Sequence, residues 1–119
     1  MSQAVTLTAE EQLNSLITST PRVAIYVYEN WCTHDVALYH KTVEQLAVPG
    51  RLAFAIMRYG DLGELITEMI DLDPFGQPDL PAWIVYQDGE VADTGHGVDE
   101  KALKSWVKGL HAEASGVNQ

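Results

Sequence analysis

Two short runs of continuous apolar residues most constrain what this chain can fold into. They are Val23–Tyr28 and Leu52–Met57. A strand with one face in water alternates apolar and polar residues, whereas a strand buried on both faces has an unbroken apolar run. The two runs therefore predict central strands of a sheet that is covered by helices on both sides.

Four amphipathic segments predict the helices that cover this sheet. In the first, Thr8 is a favourable N-cap and Glu11 stands where its capping-box partner would be; Pro21 ends the helix. The second runs from about Thr33 to Val48. The last two are expected to begin at acidic N-caps, Asp61 and Asp99.

The remaining strands include a short first strand, Ala4–Leu7, and a hairpin around Asp88-Gly89, a dipeptide typical of tight β-turns. The hairpin strands are Trp83–Tyr86 and Val91–Thr94, followed by a bend at Gly95 and Gly97. Trp83 and Trp106 lie on apolar faces and are expected in the core. The element order is βαβαβαββα, which predicts an α/β fold with a central mixed sheet flanked by helices. We expect a single domain over residues 1–119, with about 112–119 as a flexible tail.

The balance of charges excludes some partners. The chain has 7 basic and 17 acidic residues, a formal net charge of −10. Affinity for nucleic acids and anionic membranes comes from Lys and Arg, so neither partner is expected. The sequence has no run of 18 apolar residues and no signal-peptide pattern at its start, and Cys32 is the single cysteine. These features together predict a cytoplasmic protein.

Cys32 lies in the segment Trp31-Cys32-Thr33-His34-Asp35, between a predicted buried strand and a predicted helix. A thiol at a helix N-terminus is acidified by free backbone N–H groups and by the helix dipole. His34, when protonated, would stabilise the thiolate further. Asp35 either raises the pKa of the thiol or acts as a base toward it. Alternatively, His34 and Asp35 are ordinary first-turn residues, and Cys32 is a relic.

Three segments in order resemble the thioredoxin superfamily. The first is Trp31-Cys32-x-x-Asp35, similar to the Trp-Cys-x-x-Cys motif with Asp35 in place of the second cysteine. The others are Leu80-Pro81-Ala82, similar to the cis-proline segment, and the hairpin around Asp88-Gly89. The resemblance implies a thioredoxin fold in which cis-Pro81 lies against Cys32. It also implies that the backbone of Leu80 pairs with an extended partner segment, with Trp31 beside it.

Two departures from the family pattern limit what the resemblance implies. The family's buried acid on the strand before the motif is Tyr26 here, a poor proton acceptor because a phenol titrates near ~10. The second, resolving thiol is missing, so the chain cannot act alone as a dithiol reductase.

Two functions therefore remain open. In the first, Cys32 is a catalytic nucleophile, influenced by His34 and Asp35, that forms mixed disulfides with protein partners or glutathione. In the second, the fold is a redox-inactive binding or assembly-chaperone module. Both use Trp31, Leu80 and Pro81 as the partner-binding surface. No cofactor is expected: His40, His96 and His111 are isolated in sequence, which disfavours a metal site, and the motif does not match that of the cluster-bridging glutaredoxins.

Overall fold

The structure, a computed structural model, describes residues 4–29, 33–43, 50–62, 80, 82–96 and 100–115. Within these residues the elements follow the predicted order. They are β1 (Val5–Leu7), α1 (Glu10–Ser19), β2 (Arg22–Tyr28), α2 (Thr33–Val43), β3 (Leu52–Arg58), α3 (Tyr59–Leu62), β4 (Ala82–Gln87), β5 (Glu90–His96) and α4 (Glu100–Ser115).

The strands form one mixed sheet in the order β1-β3-β2-β4-β5. The first three are parallel to one another, and β4 and β5 are antiparallel to their neighbours. Strands β2 and β3 lie inside the sheet, as their continuous apolar sequences predict, and each carries five buried residues among its seven. The prediction of a mixed sheet with two central, doubly covered strands is confirmed.

The two faces of the sheet carry separate cores. On one face Leu13 is buried in a cluster with β-strand side chains, and Leu16 and Ile17 of α1 pack against it. On the other face the buried helical residues come from α2 and α4: Tyr39, Val43, Leu103, Val107 and Leu110. The apolar stripes of the helices therefore face the sheet, and the burial of these stripes supplies most of the stability of helices this short.

The hairpin between β4 and β5 has the backbone that its sequence requires. Asp88 and Gly89 have φ angles of 54° and 85°. Two successive positive φ angles are the mark of a type I′ turn, whose twist matches that of the flanking strands. The backbone N–H of Asp88 also donates to the carbonyl of Pro21 at 2.6 Å, which ties the turn to the start of β2.

Gly95 lies within β5, where the sequence predicts a bend. It is paired with Trp83 across the strands, and a Cβ at this position would clash with the indole Nε1 of Trp83. Trp83 in turn stacks on Trp106 of α4, with ring centroids 5.1 Å apart. Trp83 is 9% exposed and Trp106 is half-buried against the core, so both occupy the core position that the sequence predicts.

Two predicted helix starts are wrong in detail. The N-cap of α1 is Ala9, not Thr8, because Gln12 rather than Glu11 reaches back to the start of the helix. The side-chain oxygen of Gln12 accepts the backbone N–H groups of Thr8 and Ala9 at 2.6 and 3.0 Å. Helix α3 begins at Tyr59, directly after β3, so Asp61 lies inside its first turn instead of capping it.

Helix α4 continues past His111 to Ser115 and takes in the first part of the predicted tail. Glu113 forms an ion pair with Arg22 of β2, which fastens this last stretch to the sheet. The rest of the tail, the second helix beyond Val43, the third helix beyond Leu62 and the predicted N-cap Asp99 lie outside the described residues. In the described part of the chain, no helix is both long and apolar enough to cross a membrane.

Candidate functional site

Several strand ends meet at one edge of the sheet. The register pairs Tyr28, the last residue of β2, with Arg58, the last residue of β3. It also pairs Val27 of β2 with Ala82, the first residue of β4. Because neighbouring strands lie about 4.8 Å apart, the chain leaving β2 and the chain entering β4 are close together. The described candidate site residues, Leu80 and the backbone of His34 and Asp35, follow or precede these strand ends closely in sequence.

Helix α2 starts at Thr33, shortly after β2 ends, so its first turn contains His34 and Asp35. The backbone of these two residues is described, whereas their side chains are not. Trp31, Cys32 and Pro81 lie outside the described residues. Their predicted roles, and the predicted cis peptide at Pro81, therefore stay predictions.

Leu80 is the one predicted partner-binding residue that the structure describes in full. It is half-buried and packs against the core cluster on the α1 face of the sheet. The next described residue, Ala82, is fully buried in the same cluster. The start of β4 is thus anchored at the end of the sheet where β2 ends and the chain leads on to α2.

Two buried tyrosines, Tyr26 and Tyr39, stack near this end of the sheet, and Tyr26 is the residue that the resemblance places where the family has a buried acid. Tyr26 of β2 is 1% exposed and stacks on Tyr39 of α2, with centroids 4.5 Å apart and ring planes 14° from parallel. The Tyr39 hydroxyl donates to the carbonyl of Ala24 at 3.2 Å. Burial, reinforced by Tyr26, raises the pKa of Tyr39 well above that of an ordinary phenol. No charged side chain of the described residues is buried.

A cluster of charged side chains that the sequence analysis did not single out lies at the same edge. It consists of Glu29, directly after β2, Arg58 at the end of β3, and Asp61 in α3. Arg58 Nη1 donates to Glu29 Oε1 at 3.3 Å, and Arg58 Nη2 donates to Asp61 Oδ1 at 3.0 Å. We call these three residues the Arg58 cluster. One guanidinium therefore ties the last described residue before the Cys32 segment to the neighbouring strand.

The Arg58 cluster has a defined geometry and charge. The Glu29 side chain is only 15% exposed, and a Cβ on Gly60 would stand 2.9 Å from its Oε2. The hydrogen bond to Asp61 and the charges of both carboxylates raise the pKa of Arg58, so it carries its charge at all relevant pH values. The sequence holds one signal for this cluster. An acidic residue, Glu29, directly follows the first apolar run, and a basic residue, Arg58, directly follows the second.

In the described residues, no group of three or more His, Cys, Asp or Glu side chains is placed to hold a metal ion. No protein-family model matches the sequence. No curated protein matches it either.

Solved structures, in contrast, resemble the chain over nearly all of its length. Oxidised thioredoxin from Plasmodium falciparum is similar with a TM-score of 0.72 at 19% identity, over 92% of this chain and 99% of that one. A mutant thioredoxin from Halobacterium salinarum has a TM-score of 0.68 at 21% identity, covering 93% and 95%. Thioredoxin from Malassezia sympodialis has a TM-score of 0.72 at 15% identity, covering 94% of each. The chain therefore has the thioredoxin fold, which confirms the predicted fold class and, at the level of the fold, the resemblance to this superfamily.

Proposed function

We propose that this protein is a monothiol member of the thioredoxin superfamily, in which Cys32 forms mixed disulfides with protein partners or with glutathione. The observation that carries the proposal is the meeting of two segments at one edge of the sheet. The first turn of α2 follows Cys32 in sequence, and Ala82, which comes two residues after Leu80, is paired with Val27 near the end of β2. An acidified thiol and an anchored binding strand are the two requirements of this chemistry.

The proposed reaction is a thiol–disulfide exchange in one step. The Cys32 thiolate attacks one sulfur of the partner's disulfide, and a new S–S bond forms to Cys32. The original S–S bond breaks, and its second sulfur leaves as a thiolate that takes up a proton from solvent. Cys32 is thereby oxidised and the leaving sulfur reduced. Release of the partner requires an external thiol such as glutathione, because Cys32 is the single cysteine of the sequence.

Of the two structural features near the proposed nucleophile, the N-terminus of α2 favours the thiolate, whereas the tyrosine pair does not. Helix α2 is eleven residues long, which is enough for its N-terminus to stabilise an adjacent anion. The tyrosine pair provides no carboxylate that could accept a proton from a thiol. We therefore expect a thiol that attacks disulfides and does not drive the proton transfers of a dithiol cycle.

The test is modification of the single thiol. The pH dependence of Cys32 alkylation should have its midpoint well below ~8.5, the value of a free cysteine. Incubation with oxidised glutathione should add one glutathione to the intact mass, and Cys32→Ser should abolish this adduct. Absence of the adduct, under conditions that modify a small-molecule thiol control, would refute the redox function.

A second candidate function is supported by the tyrosine pair. Tyr26, at the position where the resemblance places the family's buried acid, stacks on Tyr39. A site without that acid suits partner binding better than redox chemistry. In this case a partner segment pairs with Leu80 and packs on Trp31 without forming a covalent bond.

Trp31→Ala tests the shared binding surface. It should weaken partner binding by about 1–3 kcal/mol, the range for an aromatic anchor, while thermal stability changes little. If the natural chain and Cys32→Ser recover the same partners equally but Trp31→Ala does not, the binding module is the function. Equal recovery by all three would place the functional surface elsewhere.

A further inference from the structure

The two edges of the sheet differ in length. In the described part of the chain, the strand order ends in β1 on one side and in β5 on the other. Strand β1 has three residues, whereas β5 has seven. An edge strand presents backbone N–H and C=O groups with which a strand of another chain can pair, and a very short strand offers few of them. Pairing between chains is therefore expected at β5 rather than at β1.

The residues of β5 leave its edge open to solvent. Every residue from Glu90 to Thr94 is exposed. Val91 is 39% exposed and is one of two large apolar side chains that are exposed among the described residues; the other is Val5 of β1. A long, exposed edge strand that carries an apolar side chain favours association between chains.

A single side chain occupies a backbone donor in the middle of this strand. Asp93 Oδ1 accepts the backbone N–H of Thr94 at 2.9 Å. Thr94 is paired with Ile84 of β4, and in an antiparallel ladder the facing pairs alternate between those that exchange backbone hydrogen bonds and those that do not. Because a side chain accepts the Thr94 N–H, we assign this donor to the free edge. A strand added to β5 would have to displace Asp93 from it.

The charge of Asp93 opposes such an addition as well. Among the described residues, Asp93 forms no ion pair with a basic side chain. Two copies paired through β5 would bring two of these carboxylates to one interface, together with those of Glu90. Like charges on paired strands are destabilising. The edge is therefore protected by a hydrogen bond and by a charge, and the same residue supplies both.

We propose that Asp93 keeps this chain monomeric, and that the free edge of β5 is the surface through which two copies pair when Asp93 is replaced. The partner is a second copy because two identical strand edges are complementary to each other when they pair antiparallel about a two-fold axis. The inference goes beyond the proposed function and does not depend on the reactivity of Cys32.

The experiment is sedimentation velocity over a range of protein concentrations. A reducing agent is present throughout, so that Cys32 does not join two chains by a disulfide. The natural chain should sediment with the mass of one copy, 13.1 kDa, at every concentration. Asp93→Ala removes both the acceptor and the charge, and its mass should rise toward that of two copies as the concentration increases. Asp93→Asn keeps an Oδ1 acceptor for the Thr94 N–H and should associate less than Asp93→Ala.

Two controls separate the edge of β5 from a general effect of charge. Asp88→Asn removes the same charge from the turn of the same hairpin and should stay monomeric. Asp93→Ala/Thr94→Pro removes the N–H on which an added strand depends, and it should be monomeric again. Proline is tolerated on an edge strand where the N–H faces solvent. If thermal unfolding shows that this double variant does not fold, Asp93→Ala/Val91→Lys places a charge on the same edge and serves in its place.

The outcomes that overturn the proposal are distinct. A monomeric Asp93→Ala overturns it, and so does a natural chain that dimerises at the same concentrations. Equal association of Asp88→Asn and Asp93→Ala would make net charge the cause, and equal association of Asp93→Asn and Asp93→Ala would refute the role of the contact with Thr94. A dimer that persists in the double variant would place the interface elsewhere. None of these results bears on the glutathione adduct, which tests the proposed function separately.

Discussion

The tyrosine pair has consequences at the scale of single residues. Tyr39 is completely buried, and its hydroxyl is held by a backbone carbonyl. The folded protein therefore keeps the phenol proton more tightly than the unfolded chain does. Because its folded pKa is raised, this stabilisation is fully present below the unfolded pKa near ~10 and is lost as pH rises toward the folded pKa.

We therefore expect the free energy of unfolding to fall in alkaline solution, beginning near pH ~10. Tyr39→Phe should cost about 1 kcal/mol at neutral pH, through loss of its hydrogen bond, yet lose less stability between neutral and alkaline pH. Urea unfolding at both pH values measures this. Part of the alkaline loss should remain, since burial also raises the pKa of Tyr86. Equal alkaline losses in the variant and the natural chain would contradict the account.

At the scale of elements, the packing of α4 on the hairpin depends on one glycine. The Trp83 ring lies against Gly95, and Trp106 of α4 stacks on the same ring. The absence of a side chain at Gly95 therefore sets how closely helix and strand approach. Gly109 in α4 is the opposite case, since a Cβ there would meet no atom within 4 Å.

These two glycines provide a matched pair of variants. Gly95→Ala should lower the free energy of unfolding by about 1–3 kcal/mol, because the Trp83 ring must shift in a packed core. Gly109→Ala should raise it by about 0.5–1 kcal/mol, since alanine is the better helix former. Thermal or urea unfolding measures both. An unchanged free energy of unfolding in Gly95→Ala would contradict this prediction, because the Trp83 ring would then shift at no energetic cost.

The elements also show how far the sequence alone predicts this structure. Strands β2 and β3 were predictable because burial on both faces leaves an unbroken apolar run, and the hairpin because Asp88-Gly89 tolerates positive φ. The start of α1 was not, because Glu11 and Gln12 are both suitable cap partners and only the backbone selects Gln12. The contact of Arg58 with Glu29 depends on the register of two parallel strands, which no local pattern encodes. For His34 and Asp35, the sequence predicts a position in the first turn of α2 but not the contacts of their side chains.

At the scale of the whole molecule, the chain has the thioredoxin fold although its sequence is far from those of the thioredoxins it resembles. The radius of gyration is 13.4 Å, close to the roughly 13.5 Å expected for one compact domain of this length. The chain resembles thioredoxins over more than nine-tenths of its length at 15–21% identity. The architecture thus depends on burial patterns that many sequences satisfy, whereas the chemistry depends on a few positions.

Restoring one of these positions tests whether the scaffold still supports the family's reaction. Asp35→Cys should give measurable reduction of insulin disulfides in the presence of dithiothreitol, because residue 35 lies in the first turn of α2, three residues after Cys32 in sequence. Asp61→Cys is the control, since it adds a second thiol at the same edge but in another helix. If Asp35→Cys is no more active than this control, the geometry around the motif has diverged together with its residues.

The stacked pair of Trp83 and Trp106 also makes the protein its own optical reporter. The sequence contains three tryptophans, and the third is Trp31 in the proposed binding segment. Two indoles stacked between a strand and a helix share their excited states, so their circular dichroism reports the docking of α4. Replacing both with phenylalanine leaves Trp31 as the sole indole emitter. Its fluorescence then follows the arrival of a partner at the proposed site without any added label.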